Sequence, residues 1–370
     1  MAKVFTNKKN LKQLDIIILM DVVAIMIFGI LNVYSTTYTI SGFYYTGFQI
    51  LWGIIGLAAV AFLIMIDYSV IKRYSNLVYM ASVFLLLFND VTSKAVKGAS
   101  SWIRLGSRAI EPGEFVRIGL ILILAKKIED MEGDVNSPQN LLWLLFYAGI
   151  PILLIVIQPN LGLTIICIFI LLGMLFISNI KLKLIFYGFI STIPVSLLAW
   201  YSGLLKPYQK DRIISFLNPN LFQQDIAFQL NQSIIGIGSG GIFGKGFLKG
   251  TLISNGYIPE VHTDFIFAAV GEQWGFIGAF FLILLFGILI YRMIKLARET
   301  ENIMGRLVCI GVASSLIFSV LQNIGMTIGI MPIAGITLPF MSYGGSSILA
   351  NFISIGIVLS MGMKRSAINF

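Results

Sequence analysis

The sequence predicts an all-α polytopic membrane protein, with about ten transmembrane helices and one large extracytoplasmic loop between helices 7 and 8. Three observations carry this reading. Hydrophobic residues make up 57% of the 370 and charged residues only 12%, about half the charged share of ordinary globular chains. The mean hydropathy is +0.90. The apolar residues also gather into stretches of the length a bilayer-crossing helix needs, about 17–25 residues. Such a composition excludes disordered, collagen-like and disulfide-stapled chains. The two cysteines, Cys167 and Cys309, lie in apolar runs and read as core or lipid-facing residues.

In chain order the expected spans are 14–34, 47–66, 75–90, 113–128, 140–157, 160–178, 183–202, 264–296, 304–330 and 337–363. The third to fifth are short, and 264–296 is long enough to tilt or to project beyond the bilayer. Lys3, Lys8, Lys9 and Lys12 precede a full-length span with no small-residue cleavage site after it, which argues against a cleavable signal.

The net charge of +9 has to be sorted by side of the membrane before it means anything. With both termini in the cytoplasm, sixteen of the 26 basic residues face inward: Lys3, Lys8, Lys9, Lys12, Lys72, Arg73, Lys126, Lys127, Lys181, Lys183, Arg292, Lys295, Arg298, Arg306, Lys364 and Arg365. This bias is what the positive-inside rule expects. Arg117 falls within a span. The outward basic residues are confined to 91–112 (Lys94, Lys97, Arg104, Arg108) and 203–263 (Lys206, Lys210, Arg212, Lys245, Lys249). Chemistry is therefore expected on the outer side.

The segment 203–263 is too long for an idle connection, since structureless loops beyond about 12–15 residues are usually functional or disordered. Phe222, Ile226, Leu230 and Ile234 repeat every four residues, the pattern of an amphipathic helix at the membrane surface. A glycine-dense run follows: Gly236, Gly238, Gly240, Gly241, Gly244, Gly246 and Gly250, with Lys245 and Lys249 among them. It fits GxGxxG by letter, but no strand precedes it, and Lys245 is not followed by Ser or Thr as a Walker lysine would be. Two readings stay open, a phosphate-binding nest of backbone N–H groups with Lys245 beside it, and glycines that let helices pack closely.

The only histidine, His262, stands two residues before Asp264 at the mouth of an apolar helix. An ionisable group there needs a reason: either Asp264 caps the helix or it does chemistry. With no second His and no Cys pair, a zinc site is not expected. Glu114 and Arg117 stand three residues apart at the start of the fourth span, a spacing that lets them pair on one helix face. Asp21 and Glu272 also fall within spans, and the sequence suggests no role for either.

These residues belong to a series of ordered motifs. They are Trp102-Ile103 through Glu111-Pro112-Gly113-Glu114, Gln158-Pro159-Asn160-Leu161-Gly162, Tyr208-Gln209 with Arg212, Phe216-Leu217-Asn218-Pro219, Gly238-Ser239-Gly240-Gly241, His262-Thr263-Asp264-Phe265 and Pro339-Phe340-Met341-Ser342-Tyr343-Gly344-Gly345. Together they resemble the SEDS family over nearly the whole chain. The run Gly244-Lys245-Gly246-Phe247 looks more like the RodA branch, which serves elongation, than the FtsW branch, which serves division.

The resemblance implies a single transmembrane domain over 1–370, in the bacterial cytoplasmic membrane, that polymerises lipid II into glycan strands. It also implies a class B penicillin-binding protein as partner. The family's essential acid maps onto Asp264, and its acid and base in the fourth helix map onto Glu114 and Arg117. Two departures are Asn160, where the family usually has Asp, and Ser101, where it usually has Arg. Arg104 is the candidate stand-in for the latter.

Glycosyl transfer from a polyprenyl diphosphate needs a base for the incoming hydroxyl and cations or N–H groups for the departing diphosphate. Asp264 would supply the first. The substrate-binding set is Glu114, Arg117, Arg104, Arg212, Lys245, Ser239, Gly240 and Gly241, with a divalent cation as an optional partner of Asp264. The alternatives are a lipid II flippase and a scaffold that recruits a transpeptidase.

Overall fold

A computed structural model describes residues 13–92, 102–105, 108–203, 207–217 and 226–363. Lys3, Lys8, Lys9, Lys12, Lys94, Lys97, Ser101, Lys206, Asn218, Pro219, Phe222, Lys364 and Arg365 lie outside the described residues. The helices are α1 (Ile16–Ser41), α2 (Tyr44–Met65), α3 (Tyr68–Thr92), α4 (Pro112–Asp130), α5 (Pro138–Ile157), α6 (Leu161–Ile177) and α7 (Leu182–Tyr201), then α8 (Pro207–Leu217), α9 (Ile226–Ser239), α10 (Thr251–Ser254), α11 (Ile266–Glu299), α12 (Ile303–Thr327) and α13 (Gly345–Gly362). A short antiparallel hairpin, β1 (Ile103–Leu105) and β2 (Arg108–Ile110), precedes α4.

Among the described residues seven helices, α1, α2, α3, α5, α11, α12 and α13, are long and apolar enough to cross a membrane, and α6 is apolar but shorter. This is the architecture of a multi-pass, all-α membrane protein. The fourth expected span, α4, is a different kind of helix. It carries Glu114 and Arg117 and ends in Lys126, Lys127, Glu129 and Asp130, yet nearly every residue from Pro112 to Ala125 is buried. Its neighbours are α3, α5, α6, α12 and α13, so its polar groups meet protein.

Small residues permit that crowding, as expected where apolar burial gives helices no preference for each other over lipid. A Cβ on Gly119 of α4 would lie 2.3 Å from Ser82 Oγ of α3, and one on Gly173 of α6 would lie 2.0 Å from Ser314 Oγ of α12. At the end away from Asp264, Arg292 of α11 donates to Asp15 (2.6 Å), and Lys72 pairs with Glu129 (2.7 Å).

Helix boundaries and one helix face differ from the sequence expectation. Helix α1 continues to Ser41 because Thr36 and Thr37 turn their hydroxyls back onto the Val33 carbonyl (3.0 and 2.8 Å), which satisfies them inside the helix. The last span begins at Gly345 and not at 337. Residues 337–344 are instead a turn packed into the bundle, with Gln49 Nε2 of α2 donating to the Met341 and Ser342 carbonyls (3.2 and 3.3 Å). Helix α9 keeps Leu230 buried but also buries Ser233, whose hydroxyl donates to the Thr327 carbonyl (2.8 Å), and leaves Ile234 exposed.

Within α11 the helix breaks at Gly275 (φ 63°, ψ −158°). The glycine-rich loop fills the break. Lys245 and Gly246 N–H groups donate to the Glu272 and Gln273 carbonyls (2.9 and 3.0 Å), and Phe276 and Ile277 N–H groups donate to the Gly241 and Ile242 carbonyls (2.9 and 3.1 Å). Irregular backbone in a membrane protein persists where other protein satisfies it.

Candidate active site

The segment leading into α11 is held carbonyl by carbonyl. His262 O accepts from the Tyr343 N–H (2.9 Å), Thr263 O from Ser342 Oγ (2.6 Å) and Asp264 O from Asn323 Nδ2 (2.8 Å). Three donors from α12 and the loop after it thus fix three consecutive residues. The His262 ring packs near Tyr45 and Tyr343, with centroids 5.0 and 5.9 Å away. The cap position of α11 falls to Phe265, and no side chain caps it there, so Asp264 does not hold the capping position.

Side chains from separate elements converge beside Asp264. A Cβ built on Gly335, in the loop between α12 and α13, would lie 3.6 Å from Asp264 Oδ2 and 3.9 Å from Arg212 Nη1. The carboxylate and the guanidinium of α8 therefore flank one small residue. Glu111, just before α4, is the next carboxylate. Its N–H donates to Ser346 Oγ of α13 (3.1 Å), and its Oε1 accepts from Asn160 Nδ2 (2.9 Å). Burial pushes the Glu111 carboxyl up to about 7, with Arg117 pulling it down and Asp264 pushing it further up.

Glu114 and Arg117 are both buried and paired with each other, and Arg117 Nη1 also donates to Ser315 Oγ of α12 (3.2 Å). Asn160 takes the ancillary role left for it by the loss of the carboxylate: its Oδ1 caps α6 at the Leu163 N–H (3.1 Å) while its amide holds Glu111. The sequence pattern assigned no role to Glu111, although it lies within a quoted motif. Arg104 lies on β1 opposite Ala109, with its side chain outside the described set.

The glycine run lies elsewhere along α11. Lys245 Nζ donates to Glu272 Oε1 (2.7 Å) and to Thr251 Oγ1 (2.8 Å). The fully buried Glu272 also accepts from the Leu252 and Ile253 N–H groups (3.0 and 3.2 Å), a partner set that residue spacing does not reveal. A Cβ on Gly240 would lie 1.9 Å from the Gly271 carbonyl oxygen, and Ser239 Oγ turns back to the Gly236 carbonyl (2.8 Å). The N–H groups of Gly240, Gly241, Gly244, Lys245 and Gly246 all donate to backbone carbonyls. Of the two readings of the run, close packing describes this geometry.

Among the described residues no three His, Cys, Asp or Glu side chains gather as a metal cluster. Asp264 and Glu111 fit a hard divalent ion only in the limited sense of one or two carboxylates completed by substrate phosphates.

The family model described as "Cell cycle protein" (FtsW, RodA, SpoVE) matches residues 12–367. The chain is 32% identical to stage V sporulation protein E of Bacillus subtilis strain 168, over 96% of this chain and 98% of that protein. It is 30% identical to a probable peptidoglycan glycosyltransferase FtsW of Geobacter sp. strain M18 (96% and 98%). It is 28% identical to the peptidoglycan glycosyltransferase RodA of Treponema pallidum strain Nichols (96% and 99%). Among solved structures it superposes on a chain from "Structural coordination of polymerization and crosslinking by a peptidoglycan synthase complex" with a TM-score of 0.79 and 28% identity, over 96% and 99% of the two chains. The rod shape determining protein RodA of Thermus thermophilus gives 0.72 and 25%, over 95% and 98%.

Proposed function

Because the chain belongs to the FtsW, RodA and SpoVE family of cell cycle proteins over nearly its whole length, we propose that it is a peptidoglycan glycosyltransferase that polymerises lipid II at the outer face of the cytoplasmic membrane. The observation that carries the site assignment is the meeting of Asp264, Arg212 and Glu111, from three separate elements, around Gly335 and the start of α4.

In this reading Asp264 takes the proton of the incoming sugar hydroxyl as that oxygen bonds to the anomeric carbon of the donor. The bond to the polyprenyl diphosphate breaks, and Arg212 stabilises the departing negative charge. Glu111, carrying a proton part of the time near neutrality, keeps the space beside Asp264 from holding two full negative charges. Glu114 and Arg117 satisfy each other and set the polarity of the wall. A divalent ion, if used, would sit against Asp264 and Glu111 and share the diphosphate charge. Lys245, Ser239, Gly240 and Gly241 act through packing of α11.

A class B penicillin-binding protein is the proposed partner, supported by the likeness to a chain of a synthase that couples polymerisation to crosslinking. An elongation role rests on the Gly244-Lys245-Gly246-Phe247 run alone, since identities of 32, 30 and 28% to SpoVE, FtsW and RodA relatives do not separate the branches.

The test is glycan polymer formed from purified protein and added lipid II, with and without a transpeptidase. A flippase or a scaffold would give none. Orientation has its own test. Ser254 is exposed, and Cys167 and Cys309 are buried, so Ser254→Cys should react in intact spheroplasts with an impermeant thiol reagent. Labelling only after lysis would place 203–263 in the cytoplasm.

A further inference from the structure

We infer that Asn323 is a positioning residue for Asp264, an inference that rests on the polymerase reading above. Asn323 is fully buried near the end of α12. Its single NH2 group donates twice, to the Asp264 carbonyl (2.8 Å) and to the Ile336 carbonyl (2.7 Å). Both acceptors are carbonyls, which fixes the orientation of the amide, since only the NH2 side can face them. Its Oδ1 has no hydrogen-bond partner among the described residues, so the donors are what this buried polar group contributes.

The two anchored residues make the geometry specific. Asp264 carries the carboxylate, and Ile336 follows Gly335, the residue flanked by Asp264 Oδ2 and Arg212 Nη1. One rigid carboxamide therefore sets the spacing between the segment that bears the base and the turn that separates it from the cation. The neighbouring carbonyls of His262 and Thr263 are tied to Tyr343 and Ser342, further along the same loop. Asn323 joins the Asp264 residue itself to the Gly335 turn through a helix of the bundle. A misplacement of a catalytic group by about 1 Å can cost about 10²-fold in rate.

Two variants test this in solubilised protein supplied with lipid II. Asn323→Leu keeps the side-chain size and removes both donors, and it should lower kcat by about 10²-fold with little change in KM. Asn323→Asp puts an acceptor against two carbonyls unless it is protonated, so its rate relative to wild type should rise as pH falls, while the ratio for Asn323→Leu stays flat. Wild-type kcat in a folded Asn323→Leu, or a loss confined to KM, would overturn the inference. If Asn323→Leu does not fold, a flat pH ratio for Asn323→Asp overturns it in its place. Absence of polymer from the wild type overturns the polymerase reading instead, a distinct result.

Discussion

Two polar regions lie against the first half of α11, and from residue types alone either could bind a phosphate. Around Gly240–Gly250 the amides of Gly240, Gly241, Gly244, Lys245, Gly246 and Lys249 serve backbone carbonyls, and the Lys245 ammonium serves Glu272. Around Asp264 the backbone is equally well satisfied, but the charged side chains are left crowded. Asp264 and Arg212 both lie against Gly335, and the charges of Asp264 and Arg117 push the Glu111 carboxyl in opposite directions. Glycine plus lysine marks a place where backbones come close. Carboxylates and cations brought together from different elements are the pattern expected of a functional site.

The comparison breaks most sharply at Asp264. Replacing it with Asn preserves shape and hydrogen bonding but removes the proton acceptor, and polymer formation should fall by at least about 10²–10⁴-fold with unfolding temperature little changed. Polymer at the wild-type rate would remove Asp264 from the chemistry. Arg212→Ala comes next: loss of one charge-assisted contact, about 1.5–3 kcal/mol, should cost about tenfold to a hundredfold in lipid II turnover. Kinetics matching wild type would remove Arg212 from the diphosphate site.

Lys245→Met should do the opposite of Arg212→Ala. Turnover per folded molecule should stay near wild type, while thermal unfolding shows about 1–3 kcal/mol lost, because the buried Glu272 carboxylate then lacks its cation. A turnover defect without a stability defect would restore Lys245 to the substrate site.

A further effect is a pH dependence of stability. A carboxyl raised from 4.5 to about 7 in the folded protein binds its proton more tightly there than in the unfolded chain. Its contribution is fully present below about 4.5 and is lost as pH rises through about 7. Glu111→Gln should therefore gain unfolding temperature relative to wild type across that window and hold the gain above it. An unchanged difference from pH 4 to 8 would show that Glu111 titrates normally.

Hydropathy located the membrane helices because length and apolarity are the requirements a bilayer imposes. It misplaced the start of α13 because Leu338, Phe340 and Met341 are buried in a turn, and burial in protein and burial in lipid leave the same trace in a hydropathy profile. Gly344-Gly345 was the available signal for the helix start. It also could not distinguish α4, whose charges meet protein, from a short lipid-facing span. For the site, Asp264, Glu114 and Arg117 were legible as ionisable residues at the ends of apolar runs. Glu111 was not singled out, because its importance comes from α6, α11 and α13 arriving beside it. Glu272 was invisible for the related reason that its partners lie at positions 245 and 251–253.

The break at Gly275 has a mechanical consequence. Four backbone hydrogen bonds fasten the 241–246 loop across it, and backbone-to-backbone contact at Gly240, Gly244 and Gly275 leaves no slack for sliding. The first turns of α11 and this loop therefore travel as one body, and the leading end of that body is Asp264. Prising the loop from the helix would sever those bonds. Arg212 lies outside that body, on α8, where it, Ser215 and Phe216 face Leu230 and Met331–Ile333 across a small cleft. The carboxylate and the cation beside it thus belong to separate pieces of the molecule, one tied to the glycine-rich loop and the other to α8.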